Sequence, residues 1–166
     1  MHTRECGKPA HTRVLRDRGT LMHAPIVVTV LGTDRPGIVD RLAATVAAHG
    51  GNWEQSRMAR LGGMFAGILE VRLPENRVDD LRTALGSLAK DGLEVVVGRA
   101  ARADDRVGVR RFDLHLFGSD QPGIVRDVSH VLAEHGFNID ELSTETVSAP
   151  MSGSAMFKAT ATLAAP

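Results

Sequence analysis

The alternation of apolar and polar residues predicts a first run of strands and helices in the order βαββαβ. Apolar positions recur at strand spacing in four stretches and at helical spacing in two. A two-glycine turn at Gly62 and Gly63 would join the second and third strands. In chain order the stretches are strand 26–31, helix 36–49, strand 53–60, strand 64–73, helix 78–92 and strand 93–97. This is the order of the ferredoxin-like fold, in which one sheet buries the apolar stripes of two helices.

A second run repeats the first four of these elements. It contains a strand at residues 112–117, a helix at 122–135, and strands at 138–147 and 155–163. No second helix and fourth strand follow in the sequence. We therefore expect the strand at 112–117 to have an open edge, which a longer form of the chain, another chain or the first run would cover. On the helix, the side chains expected to face the sheet are Ile124, Val125, Val128, Val131 and Leu132.

These elements predict an α+β protein with two ferredoxin-like modules, at residues 25–99 and 111–166, joined by a linker at 100–110. The second module is predicted to lack its last helix and strand. Residues 1–24 have no apolar period, and we predict that they form a disordered arm. Met22 is an alternative start of the protein. The scattered basic residues of the arm give only weak support to nucleic-acid binding.

A nine-residue motif recurs where the first strand of each module meets the first helix. Residues 31–39 read Leu-Gly-Thr-Asp-Arg-Pro-Gly-Ile-Val, and residues 117–125 match them at six of the nine positions. A histidine–glycine pair and an asparagine further along recur at the same offset of 86 residues. The repeat indicates two copies of one folding unit.

The residue types in this motif suit an anion-binding turn at the start of a helix. Asp34 is expected to accept hydrogen bonds from the first-turn amides, and Pro36 is expected to be the first helical residue. Gly37 weakens a helix, so we expect it to leave room for a ligand to approach the backbone. A helix start with free amides binds carboxylate or phosphate. The alternative is that Asp-x-Pro-Gly only forms a turn.

Composition narrows the class of protein. The 166-residue chain has 43% hydrophobic residues and a net charge of +0, so it has no overall attraction for nucleic acid or membrane surfaces. Cys6 is the single cysteine, which excludes an intramolecular disulfide and a cysteine-based zinc site. The sequence has no apolar run of about 20 residues and no signal-peptide pattern. We expect a cytoplasmic globular protein.

The sequence carries no catalytic or metal-binding constellation. The seven histidines show no zinc-binding spacing, and no nucleophile motif, P-loop or Rossmann fingerprint occurs. His49 and His135 end predicted helices, where capping is the simplest role. Trp53 and Met64 are expected in the core. We therefore predict no catalytic residue, no metal ion, no cofactor and no enzyme activity.

The repeated motif resembles that of tandem ACT domains, and in particular that of the glycine cleavage system transcriptional repressor group. The resemblance covers about residues 25–166. The N-terminal domain of formyltetrahydrofolate deformylase is similar at its start. The residues that carry the resemblance are Asp34, Pro36, Gly37, Ile38, Gly50 and Asn52, then Asp120, Pro122, Gly123, Ile124, Gly136 and Asn138.

This resemblance implies an amino-acid-sensing regulatory protein. A small amino acid would bind between paired ACT domains, and the protein would act through a regulatory partner protein, without direct contact with nucleic acid or membrane. Self-association is expected as well. The implied ligand-binding residues are Asp34, Pro36, Gly37, Ile38 and Asn52, and Asp120, Pro122, Gly123, Ile124 and Asn138. The alternatives are a structural oligomerisation module without a working ligand site, and an ACT regulatory fragment of a metabolic enzyme.

Overall fold

The computed structural model describes residues 22–100, 108–149 and 153–165. The chain divides into two compact units, Met1–Arg102 and Ala103–Pro166. Of the disordered arm predicted at residues 1–24, residues 1–21 lie outside the described residues, as does most of the predicted linker. No helix in the described part is long and apolar enough to cross a membrane.

The first unit is a four-stranded antiparallel sheet with two helices, which confirms the predicted ferredoxin-like order. Its elements are β1 (His23–Thr33), α1 (Ile38–Ala48), β2 (Asn52–Leu61), β3 (Met64–Pro74), α2 (Val78–Gly86) and β4 (Leu93–Arg99). The strands lie in the order β2-β3-β1-β4. Short 3-10 segments flank α2, at Glu75–Arg77 and Ser87–Asp91. β1 begins at His23, so the predicted disorder is wrong for residues 23 and 24, which pair with β3.

The core of the first unit lies between the sheet and the two helices. Alternate residues of β1 point into it, since Ile26, Val28 and Val30 are completely buried. Each helix adds one stripe of buried side chains: Ile38, Leu42 and Val46 from α1, and Val78, Leu81 and Leu85 from α2. Burying a leucine of this kind contributes about 1.5–3 kcal/mol relative to leaving it exposed. The two helices together cover this face of the sheet.

Two residues expected in the core occupy different environments. Trp53 is half-buried and packs against the core, as expected. Met64 is exposed, so its expected core position is wrong. The reason is the alternation of side chains along β3, which turns Phe65 to the helix side and Met64 to the other face.

The second unit has one helix on a three-stranded sheet in its described residues, 108–149 and 153–165. Its elements are β5 (Arg110–Ser119), α3 (Ile124–Glu134), β6 (Asn138–Ser148) and β7 (Ala155–Ala165). The strand order is β5-β7-β6, so β5 is an edge strand of the described sheet, as expected from the sequence. The open side of β5 corresponds to the side of β1 on which β4 pairs in the first unit.

The predicted inward-facing stripe of α3 is too wide. Ile124, Val128 and Leu132 are half-buried, whereas Val125 and Val131 are exposed. A helix lying on a sheet buries positions i, i+4 and i+8 most deeply and leaves the flanking positions to neighbouring elements. The expectation that Val131 faces the sheet is therefore wrong, whereas Val125, although 43% exposed, lines an apolar cavity together with Leu114 and Leu116 of the sheet.

Candidate functional site

The turn before α1 is set by the left-handed conformation of Gly37. This residue has φ 88° and ψ 2°, and it is the N-cap of α1, which begins at Ile38. A Cβ on Gly37 would meet no atom within 4 Å. The space beside it is open, as expected, but the positive φ is by itself a sufficient reason for glycine. Pro36 lies in the turn, so the prediction that it is the first helical residue is wrong.

The start of α1 has no side-chain cap. The amide of Arg41 closes the first turn by donating to the carbonyl oxygen of Gly37 at 3.0 Å. The amides of residues 38–40 come before this bond, and such amides have no acceptor within their own helix. The helix dipole adds roughly half a positive charge at this end. The turn therefore offers donors to an anion such as a carboxylate.

Asp34 does not cap α1, contrary to expectation. Its Oδ2 lies 2.7 Å from Nε of Arg60 on β2. Its backbone amide donates to the carbonyl oxygen of Gly63 at 3.0 Å. Asp34 lies three residues before the N-cap Gly37 and is held by the β2–β3 hairpin, so its carboxylate is used by the hairpin rather than by the helix.

Two further arginines connect the same end of α1 to the segment before β4. Arg35 donates to the backbone carbonyl of Asp91, and Arg41 forms an ion pair with the carboxylate of Asp91. Both side chains of the ion pair are partly exposed, so it contributes at most about 1 kcal/mol. With Arg60, these residues place three guanidinium groups around the first turn.

The second unit repeats the geometry of the turn. Gly123 has φ 92° and ψ −4°, it is the N-cap of α3, and no side chain caps the helix. The amide of Asp127 donates to the carbonyl oxygen of Gly123 at 3.0 Å, as in the first unit. Pro122 precedes Gly123 in the turn, so it is not the first helical residue either. That position belongs to Ile124, as it belongs to Ile38 in the first unit.

The charges around the two turns differ. Thr146 takes the place of Arg60, since it lies opposite Phe157 as Arg60 lies opposite Phe65. The carboxylate of Asp120 is exposed. Within the described residues it forms no ion pair equivalent to the one between Asp34 and Arg60.

An arginine lies beside the second turn. Nη2 of Arg126 is 3.8 Å from the position that a Cβ on Gly123 would occupy, and it contacts the carboxylate of Asp127 at 2.8 Å. The equivalent residue in the first unit is Asp40. A guanidinium therefore lies beside each turn: that of Arg126 at α3, where it is paired with Asp127, and those of Arg35, Arg41 and Arg60 at α1.

The two predicted asparagines lie far from the turns of their own units. Asn52 pairs with Arg72 on β3, whereas the turn follows Thr33, which pairs with Met64 at the other end of that strand. Eight residues along β3 correspond to about 26 Å. Asn138 has the same position in its sheet. Within one unit, the structure therefore does not bring the asparagine to the turn.

Each asparagine belongs instead to a short polar chain at a β-bulge. Nδ2 of Asn52 donates to Oε1 of Glu54 at 3.1 Å, and Nδ2 of Asn138 donates to Oδ1 of Asp140 at 2.7 Å. In both units the strand register shifts at this acidic residue. These bulges were not predicted from the sequence, although an acidic residue follows each asparagine by two positions in both units.

An arginine reaches the acidic residue of each bulge, but it comes from a different strand. Arg72 of β3 contacts Glu54 at 3.2 Å, whereas Arg111 of β5 lies 3.8 Å from Asp140. In the second unit, Ala164 takes the place that Arg72 has in the first. Both units therefore contain this polar chain, but its arginine comes from β3 in the first unit and from β5 in the second.

The histidines and acidic residues of the described chain do not form a metal site. No group of three or more metal-ligating side chains occurs in residues 22–100, 108–149 and 153–165. His49 and His135 are the C-cap residues of α1 and α3, which agrees with the predicted capping role. Their Nδ1 atoms lie 2.8 Å from the carbonyl oxygens of Thr45 and Val131, respectively.

Comparison with known proteins identifies the fold family. The ACT domain family model matches residues 24–97, which are nearly all of the first unit's sheet and both of its helices. The first unit of the chain is therefore similar in sequence to the ACT domain family. The second unit has the same first four elements as this ACT domain.

Among curated proteins, the chain is similar to the glycine cleavage system transcriptional repressor of Escherichia coli. The two are 28% identical over 122 residues, which are 73% of this chain and 64% of the relative. The chain thus spans less than two thirds of the length of that protein.

Two crystal structures show the same architecture over most of the chain. An unknown protein from Galdieria sulphuraria is 38% identical, with a TM-score of 0.78 over 87% of this chain and 84% of that one. A protein assigned provisionally as a glycine cleavage system transcriptional repressor is 22% identical, with a TM-score of 0.64 over 86% and 81% of the two chains. At this identity the second match supports the fold alone.

Proposed function

We propose that this protein is an amino-acid-sensing regulator. A small amino acid binds with its carboxylate at the amides that follow Gly37 and Gly123, and the ligand-bound protein acts on a regulatory partner protein. The metabolic process is amino-acid breakdown of the glycine cleavage type, which the similarity to the Escherichia coli repressor suggests. The observation that supports the proposal most is the same uncapped, left-handed glycine turn in both units.

The charges of the turns suit the two ends of an amino acid. The helix dipole favours its carboxylate, as do the amides that have no acceptor within their own helix, residues 38–40 of α1 and 125–126 of α3. The amide of Ile124 donates to the carbonyl oxygen of Gln121 at 3.4 Å. Asp34 and Asp120 lie in the same turns and carry the negative charge that an ammonium group needs. Asp34 is already paired with Arg60, so an ammonium group must compete with that guanidinium in the first unit. We therefore expect the second turn to bind an amino acid more tightly than the first.

A structural role without ligand is the second candidate, because the Asp34–Arg60 ion pair also stabilises the first turn without any ligand. A thermal-shift measurement with a panel of free amino acids separates the two candidates. A ligand at 100 times its dissociation constant should stabilise the protein by about 2.7 kcal/mol. A melting temperature that no amino acid changes would support the structural role and contradict the proposed sensing function.

A further inference from the structure

Asp91 connects the segment before β4 to the turn at the start of α1. It is the last residue of the short 3-10 segment Ser87–Asp91. Its backbone carbonyl oxygen accepts a hydrogen bond from Arg35, and its carboxylate forms an ion pair with Arg41. Arg35 lies in the turn and Arg41 in α1, on either side of the proposed amino-acid site. One residue from a distant part of the chain therefore contacts two cations beside this site.

Close packing against the end of β1 holds Asp91 in this place. Gly32 of β1 pairs with Leu93, and a Cβ on Gly32 would lie 2.6 Å from both the carbonyl oxygen of Gly92 and Cδ2 of Leu93. A side chain has no room at that distance, so glycine at position 32 allows the two segments to approach each other. Because the turn follows β1 directly, this packing places Asp91 beside it.

The second unit has no counterpart of this contact in its described residues, 108–149 and 153–165. No 3-10 segment and no fourth strand occur in that part of the chain, and a Cβ on Gly118, the equivalent of Gly32, would meet no atom within 4 Å. The positions of the two arginines are occupied by Gln121 and Asp127. The contact made by Asp91 therefore distinguishes the two turns.

The two contacts of Asp91 affect the charge of the first turn differently. Arg35 donates to a backbone carbonyl, and this contact leaves its positive charge uncompensated. Arg41 contacts a carboxylate, which offsets its charge and occupies a donor that a ligand carboxylate could use. The side chains of Arg41 and Asp91 are 46% and 33% exposed, so a ligand in solution can reach the ion pair.

We propose that the Asp91 carboxylate is an internal competitor of the ligand: it pairs with Arg41 and so keeps this guanidinium from the carboxylate of an amino acid at the first turn. A ligand that takes Arg41 releases Asp91, so occupancy of the turn is coupled to the segment that leads into β4. This inference rests on the proposed function, because it concerns the same turn. Its test uses a simple carboxylate as well as an amino acid, so that the two proposals can fail separately.

NMR titration of the full chain with acetate tests the proposal, because acetate has the carboxylate of an amino acid but no ammonium group. The amides of residues 38–40 and 125–126 report the two turns separately. Asp91→Asn removes the charge of the side chain and keeps the backbone carbonyl that Arg35 contacts. It should lower the acetate dissociation constant at residues 38–40 about two- to fivefold, the range for a partly exposed ion pair. The dissociation constant at residues 125–126 should not change.

Two further variants test whether Asp91 acts through Arg41. Asp79→Asn is the matched control, because it removes a carboxylate from another exposed ion pair of the first unit, with Arg82, and it should leave acetate binding unchanged. In an Arg41→Gln background, Asp91→Asn should have a clearly smaller effect, since it then frees no cation. Circular dichroism melting checks that every variant folds, which the exposure of these side chains favours.

Several results would overturn the role of Asp91. They are an unchanged acetate affinity at residues 38–40 in Asp91→Asn, an equal gain in Asp79→Asn, an undiminished gain without Arg41, and acetate that shifts no amide of residues 38–40 in either the wild type or Asp91→Asn. The same titration with free glycine separates this role from amino-acid sensing. Glycine that binds no more tightly than acetate would contradict sensing, while a gain in Asp91→Asn would still support the role of Asp91. Tight glycine binding without that gain would support sensing and overturn the role of Asp91.

Discussion

The two units of this protein share a turn and a strand register but differ in how their sheets are covered. In the first unit, α1 and α2 cover one face of the sheet and bury most of its side chains, with Trp53, Met58, Val95 and Val97 partly buried. In the described residues of the second unit, α3 alone lies on the sheet and contains no fully buried residue. The comparison distinguishes the structural features that both units share from those that only one unit has. The glycine turn is common to both, whereas core burial and surface charge are not.

The largest expected difference between the units is in their cores. Ile38 and Ile124 are the first helical residues of α1 and α3, but Ile38 is buried and Ile124 only half-buried. Ile38→Ala should lower the free energy of unfolding of the first unit by about 2–5 kcal/mol, and Ile124→Ala should lower that of the second by clearly less. Urea denaturation with hydrogen exchange read separately for each sheet measures both. Equal losses would show that the second unit is packed as tightly as the first.

The open edge of β5 gives the next effect. A second copy of residues 75–99, fused after residue 166, would provide α3 with a neighbouring helix and β5 with a strand like β4. The amides of β5 should then exchange at least about tenfold more slowly, because each 1.4 kcal/mol of added stability is a factor of ten.

The control for this experiment is the same fused segment with its copies of Leu81 and Leu85 changed to aspartate, which removes the apolar stripe of the added helix. It should leave the exchange of β5 unchanged. Slow exchange of β5 in the unfused chain would contradict the open edge, since another part of the chain or a second copy would then cover it.

The smallest expected effect on stability concerns the ion pair of the first turn. Arg60→Thr makes this turn resemble the second, where Thr146 stands at the equivalent position. Because the pair is exposed on the arginine side, its loss should change the free energy of unfolding by at most about 1 kcal/mol. The same variant should bind an amino acid more tightly at the first turn, as it frees Asp34. Titration calorimetry measures the affinity, and a weaker affinity would mean that Arg60 itself holds the ligand.

The fold could be predicted from the sequence largely because its elements have strong periods. Alternating apolar residues predict the strand β1, and leucines at helical spacing predict the helix α2. The paired glycines predict the turn of the β2–β3 hairpin. The width of the buried stripe on α3 could not be predicted in this way, since the burial of Val125 and Val131 depends on a neighbour rather than on the helix itself.

The candidate site was harder to predict than the fold. The repeated motif locates both glycine turns, but it does not reveal the backbone conformation of Gly37, which moves Pro36 out of the helix. The partner of Asp34 is contributed by β2, 26 residues further along the chain, and local sequence gives no sign of that contact. For the same reason, the motif could not show that Asn52 lies at the far end of the sheet from the turn.

Titration calorimetry on glycine variants tests the central claim, that the two left-handed turns bind an amino acid, most directly. Gly37→Ala and Gly123→Ala place a side chain in the open space beside the amides, while Gly50→Ala and Gly136→Ala put the same side chain on similarly left-handed glycines at the other ends of α1 and α3. All four carry a comparable backbone strain, about 1–2 kcal/mol. The account predicts at least about tenfold weaker binding in the first pair and unchanged binding in the second. Unchanged affinity in both Gly37→Ala and Gly123→Ala would contradict it.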